Sequence, residues 1–111
     1  MSRLPRNQAA QLQALVGIKR QKAEQDMLIL QQDVRRIEDE IAQIEGSLKA
    51  LDKTGEECDG ASLARRHGAV ERMIAELGTR KAALAARKID LEAARDALRR
   101  VMHSQDRIED L

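Results

Sequence analysis

The chain has 111 residues, of which 35% are charged and none is Phe, Tyr or Trp. A length suited to one domain would normally mean a core filled by aromatic side chains, since each buries a large area. Their absence excludes an ordinary compact globule and points to long helices sharing a thin seam, while 20 basic against 19 acidic residues, net +1, exclude a global field for polyanions.

Apolar residues reach 42% and recur at regular spacing, which argues against intrinsic disorder. Residues 1–52 carry eight charges of each sign, and residues 63–111 carry eleven basic and eight acidic. That mixture belongs to solvated helix faces rather than to a polybasic tail. No apolar run approaches the roughly 20 residues of a membrane span. The start, MSRLPRNQ, lacks the apolar centre of a secretory signal. Cys58 is the only cysteine, so no internal disulfide framework is expected. Together these signs point to a reducing cytoplasm.

Pro5 is the only proline, and it stands where the first helix should begin, because its missing N–H would have no intrahelical partner there. The spacing predicts a helix over about residues 5–52, weakened only by Gly17 and Gly46. Each costs about 1 kcal/mol relative to Ala. Within it, Met27, Leu30, Val34, Ile37, Ile41, Ile44, Leu48 and Leu51 recur at alternating steps of three and four. That is the pattern of a coiled coil, whose narrow apolar stripe must be covered by another helix.

Residues 53–61 break the pattern with two glycines, Thr54 and Asp59, the chemistry of a turn. A second helix is predicted over about residues 62–110, where Leu63, Val70, Leu77, Leu84, Leu91 and Leu98 fall at intervals of seven. Asp59 and Ser62 are candidate caps for its first turn. Two helices of similar length around a short hinge imply an all-α fold, an antiparallel two-helix coiled-coil hairpin spanning residues 1–111 as one domain.

The simplest register sets Leu51 against Leu63, Ile44 against Val70, Ile37 against Leu77 and Leu30 against Leu84. It places Gly46 beside Gly68, where the backbones could approach. Arg80 and Arg87 then interrupt the seam opposite Val34 and Met27, with acids of the first helix as candidate partners. Toward the termini the stripe deteriorates to Arg20, Gln13 and Arg6, facing Ala94, Val101 and Ile108. Leu12, Leu15 and Ile18 lie off the extrapolated stripe. Either a stutter shifts the phase between Val16 and Met27, or the ends splay. Both alternatives make Leu12, Leu15, Ile18, Val101 and Ile108 the expected partner-binding residues.

Chemistry is hard to find. Cys58 with Glu56, Glu57 and Asp59 matches neither zinc nor calcium-loop spacing. His67 reads as a polar residue flanking the seam. His103 has no arrangement suggesting nucleophilic catalysis, and a two-helix rod lacks a water-excluding pocket. No catalytic residue, metal or cofactor is expected. Basic pairs such as Arg65–Arg66, Arg80–Lys81, Arg87–Lys88 and Arg99–Arg100 suggest phosphate binding. The near-neutral balance and the missing stacking platforms favour flanking charge that pairs with Glu and Asp instead.

Three stretches resemble the FliJ/YscO family, small coiled-coil stalk proteins of flagellar and type III secretion export. They are LQALVGIKRQKAEQDMLIL near the start, the short mid-chain hinge, and the Leu-rich end LEAARDALRRVMHSQDRIEDL. The chain departs from the family in being shorter and in having no aromatic residue near the hinge. The resemblance implies a non-enzymatic hairpin whose terminal end enters a hexameric export ATPase and whose hinge end approaches the export gate. The alternative is a self-associating coiled-coil scaffold, a homodimer forming a four-helix bundle. A prefoldin-like chaperone is a third reading, weakened by the short loop.

Overall fold

The computed structural model describes residues 5–53 and 60–110. Two helices account for them, α1 (Arg6–Lys53) and α2 (Gly60–Glu109), with no strand among the described residues. The fold is the expected all-α antiparallel hairpin. It divides into two compact units, one of Met1–Gln32 with Lys88–Leu111 and one of Asp33–Arg87. Each unit sets a stretch of α1 against a stretch of α2.

The helix starts differ slightly from expectation. Pro5 precedes α1, and its carbonyl accepts a bond from the Ala9 N–H at 3.0 Å, so proline occupies the cap position. α2 begins at Gly60, which puts Ser62 inside the helix. Ser62 accepts a side-chain bond from Arg65 at 3.3 Å and is not a cap. The other candidate, Asp59, lies outside the described residues, as do Thr54, Glu56, Glu57 and Cys58.

The seam keeps to the heptads. Val16, Val34 and Ile37 of α1 and Leu91 of α2 are the buried apolar residues, Ile37 most deeply at 4% exposure. Half-buried residues join them at steps of three and four: Ala23, Met27, Leu30, Ile41, Ile44 and Leu48 on α1, Val70, Leu77, Leu84 and Leu98 on α2. No described side chain is fully buried. That is the geometry of two helices with nothing stacked behind them, where each seam residue is covered from one side. The α1 stripe reaches Val16 without changing phase, so no stutter occurs, and Leu12, Leu15 and Ile18 simply lie on another face.

The register differs from the simplest one. In the first unit Arg20 Nη1 donates to Gln105 Oε1 at 2.9 Å, although Arg20 was expected level with Ala94. Gln105 stands about 16 Å further along α2, too far for a guanidinium to reach from that level. Val16 and Lys19 likewise share a shallow pocket with Arg100, Val101 and Ser104, beyond the Leu98 expected opposite Val16. In the second unit Arg80 Nε lies 2.7 Å from Glu40 Oε2, whereas Arg80 was expected opposite Val34. The two displacements run the same way, by eleven residues and by six, and a slip of one heptad together with the reach of an arginine side chain accounts for both. A heptad slip lays an a/d stripe back onto itself, so apolar spacing alone cannot reject it.

In the displaced register Leu51 stands level with Val70, Ile44 with Leu77 and Leu30 with Leu91. Leu63, expected against Leu51, has no α1 residue level with it and is 58% exposed. The expected close approach at Gly46 and Gly68 is also absent. A Cβ on Gly46 would meet nothing within 4 Å, and one on Gly68 only Arg72 of its own helix, at 3.7 Å.

This packing has two measurable consequences. In a Cys58→Ser background, Leu30→Cys should form a disulfide with Leu91→Cys readily and with Leu84→Cys poorly, as read on non-reducing gels. Gly46→Ala, with space for its methyl and no positive φ to accommodate, should raise stability by about 0.5–1 kcal/mol in urea titrations.

Candidate functional site

The feature with no structural explanation lies near the start of α1, between Arg6 and Lys19. Leu12, Leu15 and Ile18 are 36%, 49% and 63% exposed. Their spacing of three sets them in one row that winds from Leu12, one turn before buried Val16, to Ile18 on the far side of the helix. From Asn7 to Ile18 the sequence NQAAQLQALVGI holds no charged residue, in a chain that is 35% charged. The outward face of a two-helix hairpin normally carries the charge that keeps it in water. Here it carries leucines, isoleucine and glutamines. Gln8, Gln11, Leu12 and Leu15 line a shallow depression on it.

The five residues singled out from sequence therefore divide. Leu12, Leu15 and Ile18 form an uncovered flank of α1. Val101 and Ile108 are half-buried on the α2 seam stripe, where they help close the helix pair. Ile29, half exposed, extends the α1 flank two heptads beyond Leu15 and was not singled out. Following the seam alone drew attention from it. The missed signal was legible as twelve consecutive uncharged residues, Asn7 to Ile18.

Polar contacts hold the seam around this flank. Arg20, at a seam position, bonds Glu24 at 2.8 Å and Gln105 at 2.9 Å, tying α1 to α2 within the first unit. In the second unit Glu40 receives two guanidiniums, Arg36 on Oε1 at 2.9 Å and Arg80 on Oε2 at 2.7 Å. The Arg80 Nε is shielded from water, yet its N–H is not aligned on the carboxylate, so the contact is a charge pair rather than a hydrogen bond. This is the partner among the acids of the first helix that the sequence suggested for Arg80. Arg87 is engaged as well.

Basic residues elsewhere on α2 are matched by neighbours. Arg99 contacts Asp96 at 2.7 Å and Glu92 at 3.4 Å, and Arg95 contacts Glu92 at 3.5 Å. His67 Nε2 lies 3.1 Å from Glu71, one turn on. Such exposed pairs are worth a few tenths of a kcal/mol each. They also leave less unopposed positive charge for a phosphate backbone. Among the described residues no group of three or more His, Cys, Asp or Glu could hold a metal ion. No helix among them is long and apolar enough to cross a membrane.

Neighbouring positions on α1 should respond oppositely to the same change. Leu15→Asp or Ile18→Asp should alter stability by less than about 0.5 kcal/mol. Val16→Asp, which puts an unpaired carboxylate into the seam, should cost about 3 kcal/mol or more. Thermal melts monitored by circular dichroism would separate them.

Set against protein-family models, curated proteins and solved structures, the chain matches none.

Proposed function

We propose that the chain is a non-enzymatic, cytoplasmic coiled-coil adaptor that docks on another protein through the Leu12–Leu15–Ile18 flank of α1. The observation that carries this reading is the exposure of those three residues within a stretch devoid of charge. A folded surface has no reason of its own to keep such a row, since Leu15 and Ile18 could be Lys or Glu at no cost to the seam. Covering three half-exposed aliphatic side chains stabilises a complex by about 3–4 kcal/mol. That is a large part of the roughly 8 kcal/mol of a micromolar interaction.

The resemblance to the FliJ/YscO family supplies the partner. In this reading the chain is an export-apparatus stalk of a flagellar or type III secretion system, and the surface receiving the α1 flank belongs to a hexameric secretion ATPase. Val101 and Ile108 act from the seam by holding α2 against α1, so that the flank is presented on a rigid helix pair. The fold supports this role through its continuous helices and its lack of any charged residue between Asn7 and Ile18.

The test is binding of the purified secretion ATPase hexamer from the same cell to immobilised chain. The triple variant Leu12→Gln, Leu15→Gln, Ile18→Gln should lose at least tenfold in affinity while its helical spectrum stays unchanged. Equal binding by the variant, or no binding by the native chain, sinks the reading.

A further inference from the structure

One edge of the terminal helix pair is apolar and basic at once. On α1 a single row runs Gln8, Leu12, Leu15, Lys19 and Lys22, at steps of four and three. On α2 Arg100, Ser104 and Arg107 make a row of the same spacing. The two rows border one groove. Val16 and Lys19 share a depression in it with Arg100, Val101 and Ser104, and Leu12 and Leu15 share the next with Gln8 and Gln11. Other arginines of this pair find an acid, Arg20 on Glu24 and both Arg95 and Arg99 on Glu92. The side chains of Lys19, Lys22, Arg100 and Arg107 enter no ion pair or hydrogen bond among the described residues. The acids bordering this edge are Asp96, held by Arg99 at 2.7 Å, with Asp26 and Asp90 at one end and Asp110 at the other.

We infer that this groove takes an amphipathic helix of the partner protein whose apolar stripe is bordered by Asp and Glu. The inference rests on reading the Leu12–Leu15–Ile18 flank as a docking surface, and it names the chemistry that surface recognises. Leu12 and Leu15 call for apolar side chains laid along them, and the unopposed cations on both rims call for carboxylates. The charges add what leucines alone cannot supply, since they reject a basic helix of the same apolar pattern. A nucleic-acid backbone would satisfy the cations and leave the leucines in water. A lipid surface is flat, whereas Val16 and Val101 lie at the floor of a groove between two helices. A helix seated there also covers Val101, which the hairpin by itself leaves half-buried.

Three synthetic amphipathic helices supply the probe, identical in their leucine stripe and flanked by Glu, by Gln or by Lys. In fluorescence anisotropy at about 50 mM salt, the native chain should bind the Glu peptide at least tenfold more tightly than the Gln peptide and should not bind the Lys peptide. Raising the salt to about 0.5 M should erase the preference for Glu. Lys19→Glu combined with Arg100→Glu should reverse the order of the peptides. Arg35→Glu combined with Lys88→Glu, the same change of net charge outside the groove, should keep it, both variants retaining their helical spectra. Equal affinity for the Glu and Gln peptides, or no binding of any of the three, overturns the inference. So does tighter binding to phosphatidylserine vesicles or to duplex DNA than to the Glu peptide. ATPase capture that the Lys19→Glu, Arg100→Glu variant leaves unchanged overturns the acidic helix alone, and Glu-peptide binding with no ATPase capture overturns the stalk reading alone.

Discussion

Everything in this molecule hangs on one apolar seam between α1 and α2. Without aromatic residues the seam is thin, and with no third helix among the described residues it is covered from one side only. The consequence is that even Ile37, the most buried position, sits among neighbours that are half open to water. Stability must then come from length, many modest contacts in a row, rather than from a few deeply buried groups. A seam of this kind leaves more than half of each helix outside, and the composition of that outside carries whatever specificity the chain has.

The same seam sets a problem of register. Branched and straight aliphatic residues at a and d positions accept a partner one heptad away almost as well as the intended one. Polar groups at seam positions are less forgiving, because a guanidinium displaced by a heptad loses its acceptor while staying partly desolvated. Arg20 with Gln105 and Arg80 with Glu40 fill that role, one pair in each unit. Glu40 keeps Arg36 as a second partner, so its carboxylate is neutralised from its own helix whatever α2 does. The residues that interrupt the heptads in sequence are the ones that make the heptads unambiguous in space.

Helix existence and stripe membership were readable from the spacing of Ile, Leu and Val, because periodicity directly encodes which side of a helix is covered. Most of the half-buried residues fall on the predicted stripe. Register was not readable, since it depends on the reach of Arg20 and Arg80, a three-dimensional quantity that no one-dimensional pattern contains. Leu63 shows the cost of that gap: its heptad position is correct, but the slip leaves it no residue to face. The candidate site was partly readable. Leu12, Leu15 and Ile18 stood out as off-phase, and Val101 and Ile108 were grouped with them because the extrapolated stripe deteriorates at that end, by a stutter or by splaying. Arg20 closes that end instead.

The outward faces of the two helices allow a last comparison. α2 also has an exposed run of small residues, with Ala75, Gly78, Thr79, Ala82, Ala85 and Ala86 turned to solvent. Alanine there has a local explanation, since it is the strongest helix former and exposes little apolar area. Covering such a face would remove little surface from water, and helix formation alone accounts for its composition. Leu12, Leu15 and Ile18 admit no such account. Glu, Lys and Gln form helices nearly as well as Leu and better than Ile, and any of them would keep the flank in water. Propensity explains the small-residue run of α2, and its exposed Ile74 and Ile89 stand fifteen residues apart beside charged neighbours, whereas Leu12, Leu15 and Ile18 form one row in an uncharged stretch, which is why the docking surface is assigned to the first helix.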